Sequence, residues 1–213
     1  MKHLVIEGNI GAGKTTLVKK LSADLNARAV FEKFEQNPYL SKFYENPQKY
    51  SLPLELSFLC ERYRQLKEEM NEANRISPLS IADYYFSKSL IFASVTLADD
   101  EYRLYRQLYD IIYQDLPKPD LYVYLHASVE RLMGNIRSRG RIYEKSLTED
   151  YLKSLENSYF EYFALNPNMK FLILDIENLD FINTSQDYKL IKSYIFGRQF
   201  KDGINRISGR NNE

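Results

Sequence analysis

Gly8-Asn9-Ile10-Gly11-Ala12-Gly13-Lys14-Thr15 is an uninterrupted match to the pattern G-x-x-x-x-G-K-[ST]. Leu4, Val5 and Ile6 precede it as a short apolar strand, and Thr16 to Leu25 follows with helical spacing. Strand, glycine-rich turn and helix in this order make a phosphate cradle. The glycines let backbone N–H groups converge, and the helix N-terminus adds partial positive charge. Lys14 is placed to reach the β and γ phosphates of a nucleoside triphosphate, and the Thr15 hydroxyl to ligate magnesium. Asn9, Ile10, Ala12 and Thr16 complete the stretch. A glycine-rich turn that binds nothing is the plain alternative, and it requires all these signals to coincide by chance.

Composition bounds what surrounds the loop. The chain has 213 residues, enough for one α/β domain with a core that needs no staples. Its 29 basic and 29 acidic residues cancel, which argues against a dedicated nucleic-acid binder with a strongly basic face. No apolar run reaches membrane-spanning length, and Met1 to Ile6 is too short for a signal peptide, so a cytoplasmic protein is expected. Cys60 is the one cysteine, which allows no internal disulfide; it reads as a small core residue. His3 and His126 sit in apolar strand-like runs, so a Cys/His metal cluster is not expected.

After the first helix, Ala29-Val30-Phe31 forms a second apolar run that ends at Glu32. Strand C-termini form the active-site rim in folds of this kind, so Glu32 is a candidate base; a solvated strand-end glutamate fits the position equally. Gln36 to Pro53 carries Asn37-Pro38, Asn46-Pro47 and Pro53, which predicts only short helical pieces, and its aromatics either cap the core or line a pocket. Leu54 to Asn71 reads as a long helix with Leu56, Leu59, Tyr63, Leu66 and Met70 as its buried stripe. Glu55 and Arg62 lie near one edge of that stripe, two turns apart. Leu79 to Ala82 is the third strand, entered at Pro78 and ended by Asp83, with a helix from Tyr84 through Leu97. Asp83 suits both a helix N-cap and the carboxylate that holds magnesium, directly or through water.

A helix over Asp99 to Leu116 stops at Pro117-Lys118-Pro119, and Leu121 to Leu125 is a buried strand. Ser128 caps a helix to about Arg139. Arg137, Arg139 and Arg141 then surround Gly140, with Glu144 beyond; a solvated basic turn is the ordinary reading, and a mobile lid near residues 137–145 is the functional one. Leu147 to Phe163 is helical, Phe171 to Leu174 is a strand ending at Asp175, and Ser185 to Phe196 is the last helix. The expected fold is a three-layer α/β sandwich of the P-loop NTPase type. Its five-stranded parallel sheet has helices on both faces, in one domain over residues 1–196 with a polar tail over 197–213.

Taken together, Glu7 to Thr16, Glu32, Phe43-Tyr-Glu-Asn-Pro-Gln-Lys-Tyr50, Ile91-Phe-Ala93 and Arg137-Ser-Arg-Gly-Arg-Ile-Tyr-Glu144 resemble the deoxynucleoside kinases of the deoxyguanosine, deoxyadenosine and deoxycytidine group. The resemblance covers essentially Lys2 to Ile195. It implies transfer of the γ-phosphate of ATP, with Mg2+, to the 5′-hydroxyl of a deoxynucleoside in nucleotide salvage, by a homodimer. It further implies that Glu32 takes the hydroxyl proton, that Tyr44 and Glu144 hold the sugar 3′-hydroxyl, and that Arg62 reads the base edge. Phe92 corresponds to an aromatic that stacks on the base, and Arg139 and Arg141 to lid arginines that clamp donor phosphates.

Two positions depart from the family pattern. An acid-Arg-Ser motif is replaced by Asp83-Tyr84-Tyr85, so one positive charge near the 5′-oxygen has to come from elsewhere, with Lys88 a turn further on as candidate. Glu55 stands where a glutamine usually reads the base. An ionised glutamate only accepts hydrogen bonds, which favours guanine; a protonated one suits adenine, so a purine deoxynucleoside is expected. A thymidylate-type monophosphate kinase is the nearest rival, disfavoured by the missing arginine. A switch GTPase is disfavoured by the absence of Asn-Lys-x-Asp and Asp-x-x-Gly motifs, and a member that binds without transfer is the third reading.

Overall fold

In the computed structural model, residues 1–34, 36–72, 79–113 and 116–209 are described, with backbone alone for 69–72. The side chain of Met70 and the residue Pro78 therefore lie outside the description. In chain order the elements are β1 (His3–Gly8), α1 (Lys14–Leu25), β2 (Arg28–Val30), α2 (Leu40–Glu45), α3 (Pro47–Glu72), β3 (Ser80–Ala82), α4 (Ser87–Thr96) and α5 (Asp99–Tyr113). There follow β4 (Leu121–His126), α6 (Val129–Arg139), a short 3-10 helix (Ile142–Ser146), α7 (Glu149–Leu165), β5 (Lys170–Asp175), α8 (Ser185–Phe196) and β6 (Gly203–Ile207).

The strands form one sheet in the order β2-β3-β1-β4-β5-β6, and every pairing is parallel. Parallel neighbours need crossovers, and the helices that provide them bury both faces of the sheet. Alternate residues serve the two sides. Leu4, Ile6, Val123, Leu125, Leu172 and Leu174 pack with α1, α6 and α8. Val5, Tyr122, Tyr124 and Phe171 pack with Tyr159 and Phe163 of α7 and Ile91 of α4. The second side is unusually aromatic: Phe163 and Phe171 stand 4.5 Å apart between ring centroids, and Tyr124 and Tyr159 4.9 Å. Among the described residues no helix is long and apolar enough to cross a membrane.

The structure corrects four expectations. The described residues form six strands rather than five, because residues 203–207, read as part of a polar tail, pair with β5 from Lys170↔Gly203 to Leu174↔Ile207. Helix α3 starts at Pro47 rather than Leu54. A proline in the first helical position gives up an N–H that has no intrahelical partner, and Pro53 is accommodated inside the helix. Helix α4 starts at Ser87 rather than Tyr84, and the Tyr85 N–H ahead of it donates to Glu7 Oε1 at 3.2 Å. Cys60 is exposed on α3, one residue past the buried Leu59.

A chain ending after α8 should expose the open edge of β5. Its Tm is expected to fall by roughly 4–8 °C in calorimetry, the shift that a loss of about 2 kcal/mol gives in a chain of this size; a disordered tail would leave Tm unchanged.

Candidate active site

The C-terminal ends of β1, β2 and β3 open onto a cavity of about 1180 Å³. A pocket for one small ligand is typically about 300–1,000 Å³, so this one has room for a donor and an acceptor. At its floor is the phosphate loop. Gly13 has φ +84° and caps α1, and a Cβ there would come within 2.9 Å of the Phe181 ring; Gly11 has φ +87° and faces the Leu132 carbonyl. These are positions where only glycine sits without strain. Asn9 is buried, donating to the Leu152 carbonyl at 2.7 Å and accepting from the Ile10 N–H at 2.8 Å, which ties the loop to α7. Lys14 Nζ donates to the carbonyls of Gly8 at 2.8 Å and Asn9 at 3.0 Å. Burial, and then the charge of Lys88, lowers its pKa to about 8.

Glu32 lies at the centre of a buried ion cluster. Its Oε1 accepts from Arg62 Nε at 2.9 Å and Nη2 at 2.6 Å, and its Oε2 from Lys88 Nζ at 2.5 Å. Arg62 Nη1 donates to Ser89 Oγ at 2.8 Å. Burial works to raise the Glu32 carboxyl, but the charges and hydrogen bonds of Lys88 and Arg62 outweigh it and hold the pKa at about 2. Asp83 accepts the Glu32 backbone N–H at 2.8 Å with one oxygen and the Thr15 hydroxyl at 2.5 Å with the other. One aspartate thus fixes the phosphate loop and the strand-end glutamate to each other.

Further along the cavity, Glu55 is buried on α3. Its Oε1 accepts from Thr96 Oγ1 at 3.0 Å, and its Oε2 has no partner among the described residues. Burial raises its carboxyl to about 7, against the opposing influence of Arg62. Phe92 and Tyr44 also line the cavity. Tyr44 stacks on Tyr143 with centroids 5.8 Å apart, and its hydroxyl is raised by burial and by the Glu144 carboxylate beside it.

Around Gly140, φ +71°, the backbone leaves α6 and returns to the site. Glu144 is buried and accepts from Arg139 Nη2 at 2.6 Å and Nε at 3.1 Å, with Arg141 Nη1 at 3.5 Å. Arg141 also lies over the Phe34 ring, 4.8 Å from its centroid. Arg139 and Arg141 line the cavity, whereas Arg137 is exposed outside its wall. The cavity therefore gathers Lys14, Thr15, Glu32, Tyr44, Glu55, Arg62, Asp83, Phe92, Arg139, Arg141 and Glu144 from eight segments of the chain. Arg62 is paired with Glu32 and Ser89.

The family model for deoxynucleoside kinases matches residues 4–199. The chain belongs to the deoxynucleoside kinase family. It is 36% identical over 196 residues to the deoxyguanosine kinase of Bacillus subtilis, covering 90% of this chain and 95% of that one. It is 30% identical over 204 residues to the deoxyadenosine kinase of Dictyostelium discoideum, covering 95% and 83%. Among solved structures, the deoxyadenosine kinase of M. mycoides with bound dATP aligns with a TM-score of 0.78 at 26% identity, covering 91% of this chain and 98% of that one. The protein is accordingly an ATP-dependent kinase that transfers phosphate to a deoxynucleoside.

Sequence reasoning passed over several residues of the kinase site. Arg131, Asn135 and Ser138 line the cavity from one face of α6. Their spacing of four and three residues, which puts three polar side chains on one helix face, is the signal that was available. Asn135 donates to the Gly11 carbonyl at 2.9 Å, and Arg131 binds the carbonyls of Ile176, Glu177 and Leu179, holding the segment that carries Phe181 against the phosphate loop. Among the described residues no three His, Cys, Asp or Glu side chains are grouped to hold a metal. Thr15 Oγ1 beside Asp83 Oδ2 fits an ion that arrives with most of its ligands, as magnesium does on a triphosphate.

The Glu55 carboxyl is a cost to folding. With its pKa raised from 4.5, its contribution is favourable below about pH 4.5 and is lost as the pH rises through about 7. Glu55→Gln should therefore raise Tm at pH 8 by about 2–8 °C, corresponding to about 1–2 kcal/mol, with no gain at pH 4.5. Melting curves at the two pH values check both sign and size.

Proposed function

We propose that the kinase phosphorylates the 5′-hydroxyl of a purine deoxynucleoside, with magnesium-bound ATP as donor, in nucleotide salvage. The observation that carries the base assignment is Glu55: a buried carboxyl, lining the same cavity as Glu32, with one oxygen held by Thr96 and the other unpartnered among the described residues. When ionised it accepts from two adjacent donors, the N1–H and amino group of guanine. When protonated it donates and accepts, as adenine requires.

In this reading the 5′-hydroxyl hydrogen-bonds Glu32, and Tyr44 and Glu144 take the sugar 3′-hydroxyl. Phe92 stacks on the base, and Arg139 and Arg141 leave Glu144 for the donor phosphates. Arg62 acts chiefly by fixing Glu32. Magnesium, with Thr15 and Asp83 as its protein ligands, offsets charge on the phosphate chain when bound. A carboxylate with a pKa of about 2 is a weak base, so it orients the hydroxyl throughout and receives its proton late, as the bond to phosphorus forms. The working form is a homodimer; Leu104, Leu108 and Ile111, exposed at helical spacing on α5, support an apolar contact there.

Transfer from ATP with magnesium should be measured for the four deoxynucleosides and for thymidylate. Deoxyguanosine or deoxyadenosine is expected to rank first, and Glu32→Gln to lower kcat by about 100-fold or more. Preference for thymidylate would overturn the proposal. Glu55 itself is tested by pH: the ratio of kcat/KM for deoxyguanosine over deoxyadenosine should climb between pH 6 and pH 8 and lose that dependence in Glu55→Gln.

A further inference from the structure

Lys88 is 8% exposed, with its Nζ 2.5 Å from Glu32 Oε2 and 5.4 Å from the centroid of the Phe92 ring. Lysine is almost never buried this far unless paired. The pairing here is uneven. Arg62 places two N–H groups on Oε1 and a third on Ser89, which suffices to hold Glu32. Lys88 occupies Oε2, and among the described residues that oxygen is its one hydrogen-bond acceptor, leaving protons of the ammonium facing the cavity.

Lys14 also faces this cavity, and after burial the largest influence lowering its pKa is Lys88. Glu7, Asp83 and Glu32 offset this repulsion, and an anion entering the cavity has the half-buried Lys14 and the buried Lys88 both within its lining. Behind Lys88 stands Glu7, fully buried, accepting from the Tyr159 hydroxyl at 3.0 Å and the Tyr85 N–H at 3.2 Å. After Glu32 it is the strongest anionic influence on Lys88. Burial pushes the Glu7 carboxyl up, against the charges of Lys88 and Lys14, and Glu7 stands as a second acidic group behind the ammonium beside Glu32.

We propose that Lys88 is a catalytic residue that binds the phosphoryl group in transfer, opposite Lys14, once the acceptor hydroxyl has taken its place on Glu32 Oε2. This deepens the kinase reading and rests on it. The 5′-oxygen forms its bond to the γ-phosphorus with one of its lone pairs. The bond from that phosphorus to the β–γ bridging oxygen breaks with its electron pair going to ADP, and the hydroxyl proton passes to Glu32. Lys88 stays protonated and neutralises charge on the equatorial oxygens.

The test is Lys88→Met, alone and combined with Glu32→Gln. Its readouts are turnover and the affinity of the enzyme for ADP, magnesium and aluminium fluoride together with deoxyguanosine, a mimic of the group in transfer. Lys88→Met should lower kcat by about 100-fold and weaken the aluminium fluoride complex at least 30-fold. Binding of ADP alone and of deoxyguanosine alone, which also reports folding, should change less than threefold. The weakening should persist when Glu32 is already glutamine. If Lys88 merely positions Glu32, its removal in the Glu32→Gln background will cost the fluoride complex nothing further, and the proposal falls; it falls equally if Lys88→Met turns over within threefold of the native enzyme. An absence of transfer by the native enzyme to any deoxynucleoside would instead overturn the reading on which it rests.

Discussion

The carboxylate of Glu32, held by Arg62 on one oxygen and Lys88 on the other, is the interaction on which the site depends. Burying three charges costs several kcal/mol each, and the cost is offset only because every member is paired. Its partners come from α3 and α4, and its own backbone N–H is fixed by Asp83 at the end of β3. Arg62 alone keeps Glu32 paired through two N–H groups, and Lys88 adds a second tie, so α3 and α4 are both held over the sheet end by the cluster that lines the cavity. On the proposed roles, stability and chemistry share one cluster.

What was legible in the sequence was what is local. The phosphate loop spells out its own backbone through Gly11 and Gly13, and the apolar runs of β1, β4 and β5 are continuous because both faces of those strands are buried. Strand β6 escaped notice for the opposite reason. At the sheet edge it is only half-buried, and Gly203-Ile-Asn-Arg-Ile mixes polar residues with two isoleucines, so its composition resembles that of a loop although its burial alternates along the strand. Proline misled at α3, where its usual role as a helix breaker was weighed above its fitness for the first turn.

Site residues divided along a similar line. Glu32, Asp83 and Glu55 were marked by their places at strand ends or on a helix edge, but the partner of each is tens of residues away in sequence. That Arg62 binds Glu32, 30 residues before it, follows from the packing of α3 across the end of β2 and from nothing local. The missing arginine after Asp83 was visible as an absence; that Lys88 stands on Glu32 required the turn through Tyr84 to Phe86 that delays α4 and brings its first residues over the sheet end.

Lys14 bonded to the Gly8 and Asn9 carbonyls has a consequence for kinetics. A loop already closed around its own lysine has spent its conformational entropy during folding, so an arriving triphosphate meets a rigid receptor. The rearrangement left to binding is then that of the segment around Gly140, where Arg139 and Arg141 are still paired with Glu144.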